Sequence, residues 1–238
     1  MAFQLGWLSN GSATGPSLGA HGGQWNGQSG TGSALGNNNP MIVTGLTTQA
    51  SGSTYLGFVG GELAKCGALS DSSSNSYGAA LQTSTGYGGA FPGYGFGCYG
   101  KTNAAGGSGF SVQFTKNVTG DEATIMFCEV KNAGTIQAST ISFVAGAGAG
   151  VPITSNSVTA TGPALLVAMW AGDGGTGLSD LGVAVENGWT LIEYTAITGS
   201  TQVQSALAVK SVSAGTHTCS WTPIANQGAI LFLAAVQA

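Results

Sequence analysis

The chain contains no arginine, and its positive charge is confined to five lysines. Nucleic-acid binding is excluded on that ground. Neutralising a phosphate backbone takes a basic surface, and the formal net charge here is −4. Acidic residues are scarce too: there are nine, and charged residues make up 6% of the 238 positions, where an ordinary soluble domain has about 25%. A chain this poor in charge and 42% apolar is not disordered through self-repulsion. The six prolines and the aperiodic glycines exclude collagen. The longest apolar run, Gly228 to Val236, falls far short of the ~20 residues of a membrane-spanning helix. The N-terminus lacks the basic stretch and apolar core of a secretory signal, so the chain is expected to be made in the cytoplasm and to leave it by assembly and lysis.

Catalytic groups are equally sparse. Acid–base or nucleophilic catalysis needs a base beside a nucleophile and a positioning group. The two histidines are His21 and His217, and no G-x-S-x-G elbow occurs. No enzymatic activity and no cofactor are expected. Asp173 and Asp180 bracket a glycine-rich loop, but two carboxylates without the D-x-[DN]-x-[DN]-G order make a poor calcium site, and a plain loop is the simpler reading. Cys66, Cys98, Cys128 and Cys219 form no CxxC pair and sit in strand-like runs. They read as reduced core thiols, with a disulfide as the alternative.

What the chain has in abundance is glycine, 42 residues, set between short apolar runs. Strands are predicted at 41–46, 54–59, 64–69, 77–83, 94–101, 109–115 and 123–130. After a glycine-rich linker at 146–150 they continue at 157–160, 164–170, 189–195, 204–210, 216–221 and 229–236. Many short strands with turn signals and no helical period imply an all-β sandwich or barrel.

Residues 1–40 differ from the rest. They hold ten glycines and no charge, yet carry Phe3, Leu5, Trp7, Leu8 and Trp25. They read as an extended N-terminal arm whose aromatics dock onto a neighbouring subunit; packing along its own domain is the other reading. A second unusual segment, Gly86 to Tyr99, interleaves five aromatics with glycine. Tyr87, Phe91 and Tyr94 read as a subunit interface or a glycan-binding loop, and 94–99 also reads as a core strand. Glu129 lies in a near-continuous apolar strand, where an unpaired carboxylate is costly. It either faces solvent at a strand end or pairs with a lysine of a neighbouring strand.

The two halves repeat one another. Tyr55–Val59 matches Leu165–Met169, Asn75-Ser76-Tyr77 matches Asn187-Gly188-Trp189, and Cys98–Lys101 matches Leu207–Lys210. Ala105-Gly106 matches Ala214-Gly215, Phe110–Thr115 matches His217–Thr222, and Ala123–Val130 matches Ala229–Val236, which puts Ala235 in the place of Glu129. Six matches in one order point to an internal duplication. That order of strand types resembles a sandwich domain recurring in virion proteins of tailed bacteriophages, among them capsid decoration, head-fibre and tail-fibre proteins, over roughly residues 53–238. The resemblance implies two tandem antiparallel, jelly-roll-like sandwiches, 41–148 and 149–238, behind the arm. It also implies a structural role in the virion as a homo-oligomer in contact with the major capsid protein. A tail-fibre protein binding host surface glycan and a subunit of an extracellular filament are the alternatives.

Overall fold

The computed structural model describes residues 15–26, 39–62, 68–85, 94–116, 123–146, 148–173, 182–195 and 203–238. The fold is all-β. The first half supplies β1 (Ser17–Asn26), β2 (Met41–Thr47), β3 (Ser53–Glu62), β4 (Leu69–Asp71), β5 (Gln82–Thr85), β6 (Tyr94–Ala104), β7 (Ser108–Phe114) and β8 (Ala123–Lys131). The second supplies β9 (Thr135–Val144), β10 (Ile153–Thr154), β11 (Val158–Ala160), β12 (Ala164–Asp173), β13 (Val183–Val185), β14 (Thr190–Thr195), β15 (Val203–Val212), β16 (Gly215–His217), β17 (Ser220–Pro223) and β18 (Ala229–Gln237).

Two five-stranded antiparallel sheets dominate, ordered β1-β8-β3-β6-β5 and β14-β15-β12-β18-β9. A small sheet β2-β7-β4 belongs to the first half, and β10-β17-β13 with the β11-β16 ladder to the second. Three apolar layers separate four layers of sheet. Tyr55, Val59, Ile125 and Phe127 meet Met41, Val112 and Phe114 of the small sheet. Leu166, Ala168, Trp170 and Leu231 meet Ile153, Val183 and Trp221 on the far side. Between them, Leu56, Phe58, Met126 and Cys128 pack on Val167, Met169, Phe232 and Ala234, so the two large sheets lie face to face. Phe58 and Phe232 stack across this layer at 6.5 Å. The large sheets are thus buried on both faces, which is why β8 and β18 are apolar at nearly every position rather than at every second one.

The two large sheets share one strand order: β1, β8, β3, β6 and β5 hold the ranks of β9, β18, β12, β15 and β14. Their stacking is reciprocal. β1 lies on β14, the counterpart of β5, while β5 lies on β9, the counterpart of β1. Such an arrangement is what a two-fold axis produces in a homodimer.

The structure corrects the sequence reading in four places. First, 17–26 is not a free arm but the edge strand β1, antiparallel to β8 of its own chain, with Trp25 opposite Thr124. Its glycines hid it. Gly22 lies so close to Val43 that an added Cβ would sit 2.7 Å from Cγ1, so β1 trades side chains for close approach. Second, β9, inside the span given to the first sandwich, pairs with β18 of the second. Third, Tyr55 lies opposite Glu129 and Leu166 opposite Ala235, so Tyr55 corresponds to Leu166, one residue beyond the sequence match. A strand apolar on both faces carries no signal for its register. Fourth, residues 77–81 form a loop before β5, and the run 216–221 divides between β16 and β17.

Candidate assembly surface

Glu129 is fully buried, and its partner is neither solvent nor a lysine. The β1–β8 ladder breaks register between Leu18 and His21, and this bulge turns the Ala20 amide inward. Ala20 N–H donates to Oε2 at 2.9 Å, Gln49 N–H donates to Oε1 at 2.8 Å, and the Ser53 hydroxyl donates to Oε1 at 2.6 Å. Hydrogen bonds to an ionised acceptor are short and strong, and together these offset the desolvation of the carboxylate. Gly19 packs directly on the Glu129 side chain, where any Cβ would collide. The sequence carried no sign of this clamp, because its donors are backbone groups. It fastens β1 to the first half.

The halves are joined by polar groups as well as by the central layer. His21 Nδ1 lies 3.3 Å from Glu193 Oε2, linking β1 to β14. Gln82 Nε2 donates to the Ser139 carbonyl at 3.1 Å, linking β5 to β9 at the reciprocal position. Between the sheets a buried hydroxyl chain runs Thr124–Ser205–Thr195.

Two acids build loops at matching places. Asp71 accepts from the Ser73 and Asn75 amides, from Asn75 Nδ2 and from the Tyr77 hydroxyl, the last at 2.7 Å. Burial, with the hydrogen bond to Asp71, drives the Tyr77 phenol above its usual range. In the second half Trp189 Nε1 donates to Glu186 Oε1 at 3.0 Å, and the Lys210 ammonium sits 5.9 Å over the Trp189 ring. Asp71, Glu129, Glu186 and Glu193 therefore all hold neighbours within the chain.

Among the described residues, four large apolar side chains are more than a third exposed: Val151, Leu191, Tyr194 and Ile224. All are in the second half. Leu191 and Tyr194 lie on β14, an edge of its sheet. Pro16, Ser17 and Leu18, where β1 begins, line a cleft of about 390 Å³ with Gly188 and Thr190 at the start of β14 and Lys210 of β15.

Of the residues singled out in the sequence, Phe3, Leu5, Trp7, Leu8, Tyr87, Phe91, Cys66 and Asp180 lie outside the described residues. Tyr94 opens β6 opposite Glu62, and Phe96 and Cys98 behind it are buried, so 94–99 is a core strand. Trp25 lies opposite Thr124 of its own chain. Asp173 ends β12 opposite Val203. His217, matched to the buried Phe110, is half-exposed and hydrogen-bonds the Ser213 carbonyl at 3.1 Å. Cys98, Cys128 and Cys219 are free and buried. Burial, with the charge of Glu129 behind it, pushes the Cys128 thiol up to about 12. Among the described residues no group of three or more His, Cys, Asp or Glu is placed to hold a metal ion.

No family of known proteins matches the sequence, and no curated protein does. Among solved structures, that of infectious bursal disease virus, Gx strain, aligns over 94% of this chain and 80% of its own at 10% identity and a TM-score of 0.13. The Gt strain aligns over 93% and 80% at 9% identity and a TM-score of 0.12. Scores of that size carry no argument about fold or function.

Proposed function

We propose that the chain is a structural protein on the outside of a tailed-phage particle, a capsid decoration or cement protein. In this reading it derives from an internal duplication, acts as a homo-oligomer against the major capsid protein and carries no chemistry of its own. The observation that carries the reading is the distribution of polarity. The described acids whose side chains are placed spend their charge on internal hydrogen bonds, while large apolar side chains stand exposed on an open sheet edge. Such a surface is depleted of charge in the way interface cores are, and it gains by being covered. With Ser17–Asn26 bound to its own chain, residues 1–14 are the terminal part of the arm that this reading has reach a neighbour.

The deciding experiment is a copy count, by quantitative mass spectrometry of purified particles together with low-resolution imaging. Hundreds of copies per particle, placed on the shell, are expected. A few dozen or fewer, at the tail, would give the reading over to a host-glycan-binding fibre. Open-ended polymers without particles would make it a filament subunit.

A further inference from the structure

We propose that the outer edge of β14 receives residues 1–14 of a second copy of this chain as an added strand. The inference rests on the proposed assembly role and names the surface through which it would act.

The edge stands out by comparison with its counterpart. β5 holds the same rank in the first half, and its residues are Gln82, Thr83, Ser84 and Thr85, with Gln82 bonded to β9. β14 reads Thr-Leu-Ile-Glu-Tyr-Thr and, among the described residues, pairs only with β15. A register break between Leu191 and Glu193 sets Leu191 opposite Ala208 and Tyr194 opposite Ala206, so both side chains share one face. They are 39% and 44% exposed. The one charge of the strand, Glu193, lies opposite Leu207 on the other face, where it meets His21. Of the devices that keep an edge from pairing, β14 lacks lysine, proline and a charge on its exposed face; its one such feature is the irregularity between Leu191 and Glu193.

Residues 1–14 suit it. Phe3, Leu5 and Trp7 alternate with Gln4 and Gly6, so an extended chain shows all three on one side. The segment carries no charged side chain and no proline, so its residues have backbone N–H groups to offer a ladder. Its point of departure also fits. Pro16 and Ser17 lie in the cleft beside Thr190, and a Cβ on Gly15 would meet nothing within 4 Å, so residue 15 borders open space. Fourteen extended residues reach about 45 Å, enough to cross to a neighbour.

Complementation between full-length variants tests this. Leu5→Asp spoils the arm and leaves the edge intact; Tyr194→Asp spoils the edge and leaves the arm intact. By sedimentation the unaltered chain is expected to self-associate, and each variant alone to do so at least tenfold more weakly. An equimolar mixture should form a 1:1 pair, joined by the intact arm of one copy and the intact edge of the other. Leu191→Asp should repeat the behaviour of Tyr194→Asp, and unchanged thermal unfolding of each variant shows that it folds. A monomeric parent, a mixture that stays apart, or an edge variant that associates like the parent overturns the proposal. Shell decoration with failed complementation sinks this inference alone. Successful complementation by a protein absent from particles sinks the phage reading alone.

Discussion

Position for position, the halves place opposite chemistry at the same point of the same sheet. Glu129 of β8 and Ala235 of β18 both lie opposite the central strand of their sheet, at Tyr55 and Leu166. Both are fully buried. In the first half the site is a carboxylate gripped by two amides and a hydroxyl; in the second it is a methyl group in an apolar layer. The difference follows from the outermost strand. β1 is glycine-rich and poor in side chains to pack, and it is held by the clamp. β9 brings Ile136, Ile141 and Phe143 to the central layer and needs none.

Exchanging the two residues tests that contrast most severely. Ala235→Glu buries a carboxylate with no donors arranged for it, at a cost of several kcal/mol against a total stability of about 5–15. Urea unfolding should show a chain with little or no folded baseline at neutral pH. A variant as stable as the parent would mean that the second half holds an equivalent set of donors. Glu129→Ala should cost about 3–5 kcal/mol, because it leaves the Ala20 and Gln49 amides buried without an acceptor. Hydrogen exchange should then show β1 unprotected while β9 keeps its protection. Loss of protection in both strands together would show that the halves unfold as one unit and that the clamp is not local.

The thiols sharpen the comparison through pH. Burial raises Cys98 and Cys128 in the central layer and Cys219 in the outer layer of the second half. A raised thiol is protonated in the folded chain and ionises in the unfolded one near pH 8.5. Stability from this source is therefore full below about pH 8.5 and declines as pH climbs toward the folded values. The melting temperature should be flat from pH 7 to 8 and fall above 9. With Cys66→Ala as background, no thiol should react with a disulfide reagent in the native protein, and three should react in guanidinium.

The smallest effects are expected at the matched loops. Asp71→Asn disturbs a carboxylate with four donors and should cost about 1–3 kcal/mol. Glu186→Gln keeps an acceptor for the single Trp189 bond and should cost under about 1 kcal/mol. Equal costs would make the two loops interchangeable, contrary to their hydrogen-bond inventories.

Much of the second half was legible because its strands are apolar and bounded by turn residues: β12, β15 and β18 fall where the pattern put them. β1 and β9 were not, for opposite reasons. β1 has too few side chains to show a period, and β9 is a Ser/Thr-rich edge with an incomplete one. The open edge of β14 was present in the sequence as a strand, but nothing local distinguishes an edge from a centre.

Composition alone determined an all-β chain with scarce charge, since only short apolar runs broken by glycine were available to build a core. Local pattern determined most of the strands and the parallel order of the two halves. The tertiary structure decided which faces meet, because a strand buried on both sides records that it is covered and not by what. It decided which residue of β3 corresponds to which of β12 for the same reason. It also decided the fate of Glu129, whose donors are main-chain amides brought in by a bulge and a loop, groups that every residue but proline possesses and that only the folded chain can aim.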